Sequence, residues 1–242
     1  MLAKKYKVSY CIAVYNEEEI IIKNLQTIKK NLSRILGKSN FEIVLVDNGS
    51  TDKTTGLLKS LHDPVIKSFY LKKKGHGLGL RKAIQEANND HIVITAIDIP
   101  FGFGDLRLAL KYWDKYDIVF GSKAHQESKI NNSFQRMIAS VIYRFFLKTL
   151  FKITIRDTQG SIFLKRSSIQ SILKFCTADN AFFTSQIAIW GRTKNLKYKE
   201  IPVVMKDVTE KRVSRYKLFK DGPDMFQTLF YEYLRMKKIH EN

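Results

Sequence analysis

Residues 41–54 read FEIVLVDNGSTDKT, a mostly apolar run that passes directly into an aspartate and a Gly-Ser turn. The same pattern precedes it at residues 7–17, KVSYCIAVYNE, where the apolar run ends in Tyr15, Asn16 and Glu17. Short apolar runs bounded by turn-forming residues are typical of strands that are buried on both faces. Both stretches therefore predict central strands of a covered sheet.

The segments between such runs have helical spacing. After Asn16, apolar residues recur at intervals of three or four as far as Ile35, and Gly37 ends the pattern. We expect Asn16 to cap this helix, with Glu17–Glu19 in its first turn, where the helix dipole favours acidic side chains. Further strands are predicted over 65–71, 91–97 and 117–121, and further helices over 51–60, 78–88 and 105–113.

Strands that alternate with helices, without hairpin turns, predict an α/β fold with a mostly parallel, doubly wound sheet and helices on both faces. Ligands of such sheets bind at the carboxyl ends of the strands. A single aspartate at a strand end is also compatible with a simple helix cap. Four polar strand ends at one edge favour a binding site instead, and they are Tyr15-Asn16-Glu17, Asp47-Asn48-Gly49-Ser50, the Gly75–Gly77 loop and Asp98.

Composition narrows the class of protein. The chain has 242 residues, 44% of them hydrophobic, which excludes a disordered protein and suffices for a sizeable core. Its net charge of +19 serves solubility or attracts nucleotides, other polyanions or an anionic membrane. Cys11 and Cys176 are too few for a disulfide framework, so we expect buried thiols. We expect no signal peptide and no membrane span, hence a soluble or peripheral protein.

Two later segments combine apolar stripes with basic residues. In residues 131–151 the basic side chains of Arg136 and Arg144 lie on related helical faces, and residues 216–238 end in a basic stretch. Each segment is compatible with a buried core helix or with a helix that lies in a membrane interface. Gly222-Pro223 is expected to start a new helix within the second segment.

These motifs resemble, in order and spacing, the family 2 glycosyltransferases of the GT-A fold, and within them the dolichol-phosphate mannose synthase-like branch. The family's Pro-x-Tyr-Asn-Glu is represented by AVYNE at 13–17, and its Val-Asp-Asp-Gly-Ser-x-Asp-x-Thr by VDNGSTDKT at 46–54. The resemblance covers residues 7–235. It implies one domain over 1–242, divided into a nucleotide-sugar half at 7–125, an acceptor half at 126–212 and an amphipathic, basic C-terminal helix at 213–242.

The resemblance also implies roles for individual residues. Asp47 inherits a contact to the nucleotide base, and the family's Gly-Lys-Gly loop is represented by Gly75-His76-Gly77. The implied nucleotide-binding residues are Ala13, Tyr15, Asn16, Glu17, Asp47, Gly49, Ser50, Gly75, Gly77 and Asp98. The implied catalytic residues are Asp98, Arg81 and Arg215, and the residues expected to bind the acceptor or its phosphate are Ser214, Arg215, Arg136 and Gln159.

The chain departs from the family at its acidic residues. The metal-binding Asp-x-Asp is represented by Ala96-Ile97-Asp98, so only one carboxylate is left to hold Mg²⁺ or Mn²⁺ on the diphosphate. Mg²⁺ can be held by one or two carboxylates together with substrate phosphates and water. In the family's later Phe-x-Asp-x-Glu, both acids are replaced, by Thr184 and Gln186.

The loss of acids favours an acceptor that needs no general base. A phosphomonoester has a second pKa of about 6 and is already anionic at neutral pH. We therefore expect an inverting transfer of sugar from a UDP- or GDP-linked donor to a polyprenyl phosphate. The enzyme would act at the cytoplasmic membrane face, held peripherally or by a membrane-protein partner.

Two alternatives remain open at this point. A transferase to a hydroxyl acceptor would need a base, which Glu200 or Asp157 would supply. A non-catalytic nucleotide-sugar-binding protein would explain the reduced Asp-x-Asp. Nucleic-acid binding is not expected, because the basic residues are dispersed and no recognisable nucleic-acid module is present.

Overall fold

A computed structural model describes residues 5–130, 134–205 and 218–241, and within these ranges strands and helices alternate through the first half of the chain. The strands are β1 (Val8–Val14), β2 (Phe41–Asn48), β3 (Ile66–Leu71), β4 (His91–Thr95), β5 (Ile118–Ser122), β6 (Ile162–Lys165) and β7 (Tyr198–Pro202). The helices are α1 (Ile21–Leu36), α2 (Thr54–Lys59), α3 (His76–Glu86), α4 (Gly104–Ala109), α5 (Phe134–Phe151), α6 (Arg166–Leu173), α7 (Phe183–Thr193) and α8 (Leu218–Glu241).

The strands form one sheet in the order β3-β2-β1-β4-β6-β5-β7. β1 pairs in parallel with β2 and β4, β2 with β3, and β5 with β7, whereas β6 runs antiparallel to both of its neighbours. The expected mostly parallel α/β sheet is therefore confirmed. The chain moves outward from β1 to β3 and then returns to the other side of β1, which places a topological switch point between β1 and β4.

Apolar residues cover both faces of the sheet. Successive side chains of β1 point to opposite faces, so that Cys11 packs with α3 residues such as Leu80, whereas Ile12 packs with α1 residues such as Leu25. Burial on both faces explains why the central strands read as continuous apolar runs. Both cysteines are buried free thiols, as expected, and burial raises their pKa values.

The two helix starts predicted at Asn16 and at Gly222-Pro223 are wrong. α1 begins at Ile21 rather than directly after Asn16, which has a φ of 55° and whose side-chain oxygen accepts from the Thr51 amide instead of capping a helix. Glu17–Glu19 consequently lie before α1 and not in its first turn. α8 begins at Leu218, and Pro223 lies inside it instead of starting it.

The second half of the chain contains elements that the sequence patterns did not predict. These are β6, α6, α7 and β7, of which the two strands have only four and five residues. Among the described residues, no helix combines the length and the apolarity that crossing a bilayer requires.

Candidate active site

The carboxyl edge of the sheet collects most of the residues predicted to bind a ligand. Val14 of β1 lies opposite Asp47 of β2, and Ile12 lies opposite Thr95 of β4. The ends of β2 and β4, near Asp47 and Asp98, are therefore separated by two strand spacings, or about 10 Å, with β1 between them. Both aspartates thus lie at the edge where a doubly wound sheet binds its ligand.

Hydrogen bonds join the loop after β1 to the loop after β2. The amide of Asn16 donates to Ser50 Oγ at 2.9 Å, and Asn16 Oδ1 accepts from the amide of Thr51 at 2.7 Å. The amide of Glu17 donates to Thr54 Oγ1 at 2.7 Å. These reciprocal bonds use the left-handed conformation of Asn16 and fix the two predicted nucleotide-binding loops against each other.

Asp47 organises its own loop. It is 2% exposed, and its carboxylate accepts hydrogen bonds from the Ser50 amide at 3.0 Å and from the Thr55 hydroxyl. Gly49 has a φ of 76°, a backbone conformation that residues with a side chain disfavour, so the turn requires glycine there. Asp47 does not cap α2, whose N-cap residue Lys53 has no side-chain capping bond, but both of its oxygens hold the turn that leads toward that helix. An ionised carboxylate has about four acceptor positions, so this role leaves acceptor capacity for a base.

The glycine-rich loop packs closely against residues 178–180. The amide of Gly75 donates to Asn48 Oδ1 at 2.8 Å, and the amide of Gly77 donates to the Asp179 carbonyl at 2.8 Å. A Cβ at Gly75 would lie 2.8 Å from that carbonyl oxygen, and one at Gly77 would overlap Ala178. These glycines permit a close approach of protein backbone, which is a structural need that the sequence pattern did not distinguish from ligand binding.

Lysines add positive charge beside these loops. Lys74 Nζ lies 4.2 Å from the centre of the Tyr15 ring, within the range of a cation–π contact. Lys72 and Lys73 are also exposed. Arg81, predicted to be catalytic, instead donates to the Cys176 carbonyl at 3.1 Å and to Asp179 at 2.8 Å. Its two terminal nitrogens are thus both bound within the protein.

Asp98 projects from a strained turn. Ile97 and Ile99 on either side are buried, whereas Asp98 is exposed. Ile99 has a φ of 51°, which is rare for a β-branched residue and costs about 1–3 kcal/mol. The turn is held by the Ile99 amide, which donates to Ala96 O at 3.2 Å, and by Asn24, whose amide donates to Ile97 O at 3.0 Å.

The residues at this edge restrict how a divalent ion could bind. Among the described residues, no three His, Cys, Asp or Glu side chains are arranged as a metal site. Asp98 offers one exposed carboxylate. That donor set fits an Mg²⁺ or Mn²⁺ ion shared with the phosphates of a substrate, and does not fit an ion held by the protein alone.

A second loop, residues 156–161, reaches the same edge from β6. Asp157 accepts from the Lys123 amide at 2.9 Å and lies 3.4 Å from Lys123 Nζ, while Glu200 accepts from the Arg156 amide at 2.7 Å. A Cβ at Gly160 would overlap the Gly121 carbonyl, so the loop lies directly on the end of β5. The two carboxylates considered as general bases are thus engaged in fixing this loop.

Gln159 connects this loop to α5 and α7. Its side-chain amide donates to Ser185 Oγ at 3.2 Å, and Ser185 Oγ shares hydrogen bonds of 2.7 Å with Tyr143 and with Thr158. Tyr143 and Ser185 were not predicted as site residues. Tyr143 belongs to a segment whose sequence shows an apolar stripe with basic residues, and nothing in that pattern indicates a polar role for a tyrosine.

The positions of the lost acids are part of the packing. Thr184 donates to the Ala181 carbonyl at 3.0 Å. Gln186 accepts from the Ala178 amide at 2.8 Å and donates to Glu232 of α8 at 2.9 Å. Both side chains are buried and internally bonded, which is consistent with a structural role.

Helix α5 is buried in the core on one side and exposes apolar residues on the other. Leu147 and Phe151, near its end, are buried in the core, whereas Phe134 is 70% and Phe145 is 63% exposed. Its inner side meets α8 through aromatic contacts that include Phe146 and Phe226. The exposed apolar residues of the two helices are Phe134, Met137, Ile138, Val141, Ile142 and Phe145 of α5 and Phe230, Tyr231, Leu234 and Ile239 of α8. We call this set the apolar face.

Three predicted residues are not described in full. Ser214 and Arg215 lie outside the described residues, and Arg136 belongs to α5 but its side chain is likewise outside them. Their expected contacts to the acceptor phosphate therefore stay predictions.

Several known proteins are similar to this chain in sequence. A family model described as glycosyl transferase family 2 matches residues 9–173. The dolichol-phosphate mannosyltransferase of Pyrococcus furiosus is 31% identical over 131 residues, 52% of this chain and 36% of that protein. The dolichyl-phosphate β-glucosyltransferase of Saccharomyces cerevisiae is 24% identical over 229 residues, 83% of this chain and 67% of that protein.

A solved structure shows the same fold. Glucosyl-3-phosphoglycerate synthase from Mycobacterium tuberculosis, in complex with Mn²⁺, UDP and glucosyl-3-phosphoglycerate, superposes with a TM-score of 0.65 at 14% identity. The match covers 97% of this chain and 81% of that one. By contrast, the chain spans between 17% and 36% of the first curated relatives it matches by sequence.

Proposed function

Because the chain belongs to glycosyltransferase family 2, we propose that it transfers a sugar from a nucleoside diphosphate sugar to a polyprenyl phosphate at the cytoplasmic face of a membrane. A phosphate oxygen of the acceptor attacks the anomeric carbon, and the bond from that carbon to the diphosphate breaks. The products are a polyprenyl phosphate sugar of inverted configuration and a free nucleoside diphosphate.

One observation carries the choice of a lipid phosphate acceptor. Tyr143 and Gln159 both bond to Ser185, so α5 is joined to the loop 156–161 at the same sheet edge as Asp98. The opposite side of α5 is the apolar face. A prenyl chain lying along a membrane at that face would bring its phosphate toward this edge, where Gln159 bonds to Ser185 and Lys123 Nζ donates to the Gln159 carbonyl. The two dolichyl-phosphate transferases among the relatives are consistent with this acceptor class.

The carboxylates at the acceptor side favour phosphate over hydroxyl acceptors. A hydroxyl needs a general base in the transition state. Glu200 accepts two backbone hydrogen bonds, from Arg156 and Asp157, and Asp157 pairs with Lys123. Both carboxylates are therefore already engaged with donors of the protein itself. A phosphate dianion needs no base, so positioning and neutralisation of the leaving diphosphate are sufficient.

The donor side rests on the loops after β1, β2 and β4. We propose that Tyr15, Asp47 and the Gly49-Ser50 turn bind the nucleoside, and that Asp98 supplies one ligand to a Mg²⁺ or Mn²⁺ ion shared with the diphosphate. The ion, when bound, would neutralise charge on the leaving group. Lys74, held over Tyr15, adds a fixed cation beside the same loop.

The direct experiment measures transfer and its dependence on Asp98. Purified protein is incubated with radiolabelled UDP- or GDP-hexoses, Mn²⁺ and a short polyprenyl phosphate in detergent. We expect an organic-soluble, charged glycolipid, and we expect Asp98→Asn to lower kcat by about 10²–10³-fold. Asp114→Asn, which removes an exposed carboxylate that pairs with Lys5 at the far edge of the sheet, should leave kcat unchanged.

Thermal unfolding separates binding from turnover. UDP or GDP should raise the Tm of the wild type, more so with Mn²⁺, since a ligand that binds only the native state stabilises it. Asp98→Asn should lose the Mn²⁺ increment and keep the metal-free shift. Nucleotide binding without transfer to polyprenyl phosphate or to hydroxyl acceptors would overturn the proposal in favour of a non-catalytic binding protein.

A further inference from the structure

Residues 175–180, between α6 and α7, lie against the glycine-rich loop and bond to it from one side. The carboxylate of Asp179 pairs with Lys73 and with Arg81, each at 2.8 Å. Its backbone carbonyl accepts a hydrogen bond from the Gly77 amide at 2.8 Å. Asp179 thus binds Lys73 in the loop 72–77, which we call the basic loop, and both Gly77 and Arg81 in α3.

The negative charge of Asp179 also stabilises the cations around it. Lys72, Lys73 and Lys74 are consecutive and exposed, and Arg81 lies one helical turn beyond the start of α3, so these cations repel one another. Although burial alone would raise it, the pKa of the Asp179 carboxyl is held below its usual value by hydrogen bonds from Lys73 and Arg81. The carboxylate is therefore ionised at neutral pH and offsets this repulsion.

The same segment is fastened to α8 on its other side. The side-chain amide of Asn180 donates to Asp224 Oδ2 at 2.6 Å and to Thr228 Oγ1 at 2.8 Å, while its Oδ1 accepts from the Phe182 amide at 2.9 Å. Arg235 of α8 donates to the Phe175 carbonyl at 3.0 Å. The segment is therefore a continuous hydrogen-bonded link between α8 and the basic loop.

We propose that Asp179 is a positioning residue for the donor diphosphate, because it holds the basic loop 72–77 at the carboxyl edge, and that Asn180 anchors Asp179 to α8. The inference rests on the proposed function insofar as the ligand is a nucleoside diphosphate sugar. It adds that binding of the nucleotide sugar depends on α8. This dependence acts through Asp179 and Asn180, which contact neither substrate.

The first test removes the charge of Asp179 and keeps its backbone carbonyl. Asp179→Asn should raise the KM for the nucleotide sugar by about tenfold while kcat and the KM for polyprenyl phosphate stay unchanged. Loss of folded enzyme alone would lower the apparent kcat and leave KM unchanged. Asp114→Asn is the matched control, since it also removes one carboxylate from a lysine pair.

The second test breaks the anchor and then restores it. Asn180→Asp keeps the acceptor for the Phe182 amide but places a carboxylate against that of Asp224. We expect the KM for the nucleotide sugar to rise by about threefold or more. The double variant Asn180→Asp/Asp224→Asn again pairs one donor with one acceptor and should return this KM toward the wild-type value.

Calorimetry with UDP and GDP, in the absence of any acceptor, distinguishes a failure of the proposed function from a failure of this inference alone. If the wild type binds neither nucleotide, the proposed function and this inference both fail. If the wild type binds and Asp179→Asn binds equally well or more tightly, the positioning role alone is wrong, and Asp179 is instead an anion that competes with the ligand. A double variant that remains as weak as Asn180→Asp would overturn the anchor to α8.

Discussion

Asp105 is a buried carboxyl whose protonation is linked to folding. It is 8% exposed, its Oδ2 accepts from Ser161 Oγ at 2.6 Å, and its Oδ1 accepts from the Leu106 amide at 2.7 Å. Burial raises the pKa of Asp105 to about 6, although these hydrogen bonds oppose the shift. The folded state therefore binds this proton more tightly than the unfolded chain, where the pKa is about 3.9.

The sign of the pH dependence follows from that difference. The contribution of neutral Asp105 is fully present below about pH 4 and is lost as the pH rises through 6, where the folded state acquires a buried anion at a cost of about 3 kcal/mol. Asp105→Asn keeps an acceptor for Leu106 and a donor for Ser161. We expect it to raise the free energy of unfolding by about 2–3 kcal/mol at pH 8 and by little at pH 4.

Urea unfolding at the two pH values checks this prediction. Asp114→Asn controls for the loss of one negative charge, because Asp114 is exposed and its pKa is lowered by the hydrogen bond from Lys5. An Asp105→Asn effect that is equal at pH 4 and pH 8 would show that the carboxyl is not protonated in the fold.

Some residues of the candidate site could be predicted from the sequence, and others could not. Asp47 and Asp98 were predicted as site residues because each directly follows an apolar run typical of a strand, and strand ends of a parallel sheet meet at one edge. The left-handed conformation of Asn16 could not be predicted, since its bonding partners Ser50 and Thr51 are distant in sequence. Tyr143 was missed for the same reason: its hydroxyl acquires meaning only beside Ser185, 42 positions later.

At the scale of elements, α8 is docked by a buried carboxylate. Glu232 is 1% exposed and accepts from Trp190 Nε1 at 2.7 Å, from Gln186 Nε2 at 2.9 Å and from Arg235 at 3.1 Å. Three donors from two helices converge on it. A neutral amide at this position would present its own donor to these groups and leave part of the charge of Arg235 unmatched.

Glu232→Gln should therefore lower the free energy of unfolding by about 3 kcal/mol, within the range found when one partner of a buried ion pair is removed. Hydrogen exchange should increase in α8 and in the facing turns of α7. The control is Glu127→Gln, which alters an exposed glutamate and should change stability by less than about 0.5 kcal/mol. Equal effects of the two variants would contradict a docking role for Glu232.

The elements themselves were predictable to different degrees. The alternation of β1, α1 and β2 could be predicted because apolar runs mark the two strands and a long helical spacing of apolar residues marks the helix. β6 and β7 are short, and their strand character depends on pairing with β4 and β5, so local patterns did not reveal them. The apolar stripe of α5 predicted a helix correctly, but periodicity does not say what covers a stripe.

At the scale of the whole molecule, positive charge and the apolar face together suggest an anionic membrane as the partner of that face. The net charge is +19, and Arg144, Lys148, Lys237 and Lys238 lie on the two helices that form the apolar face. Apolar burial and attraction to anionic lipid headgroups act in the same direction for such helices. The fold could be predicted at this scale because strands alternate with helices along the first half of the chain, whereas the exposure of the apolar face could not.

Binding to vesicles is the corresponding prediction. The protein should sediment with vesicles that contain phosphatidylglycerol more than with neutral phosphatidylcholine vesicles, and salt should weaken this binding because it screens the charges. Val141→Glu/Phe145→Glu should reduce binding by at least about tenfold, since each buried apolar side chain contributes about 1.5–3 kcal/mol. Gln26→Glu/Lys30→Gln, the same charge change on exposed positions of α1 across the sheet, should lose much less. If the α5 variant bound like the wild type, lipid would not be what covers the apolar face, and a change of oligomeric state in light scattering would then identify a second copy of the chain as its partner.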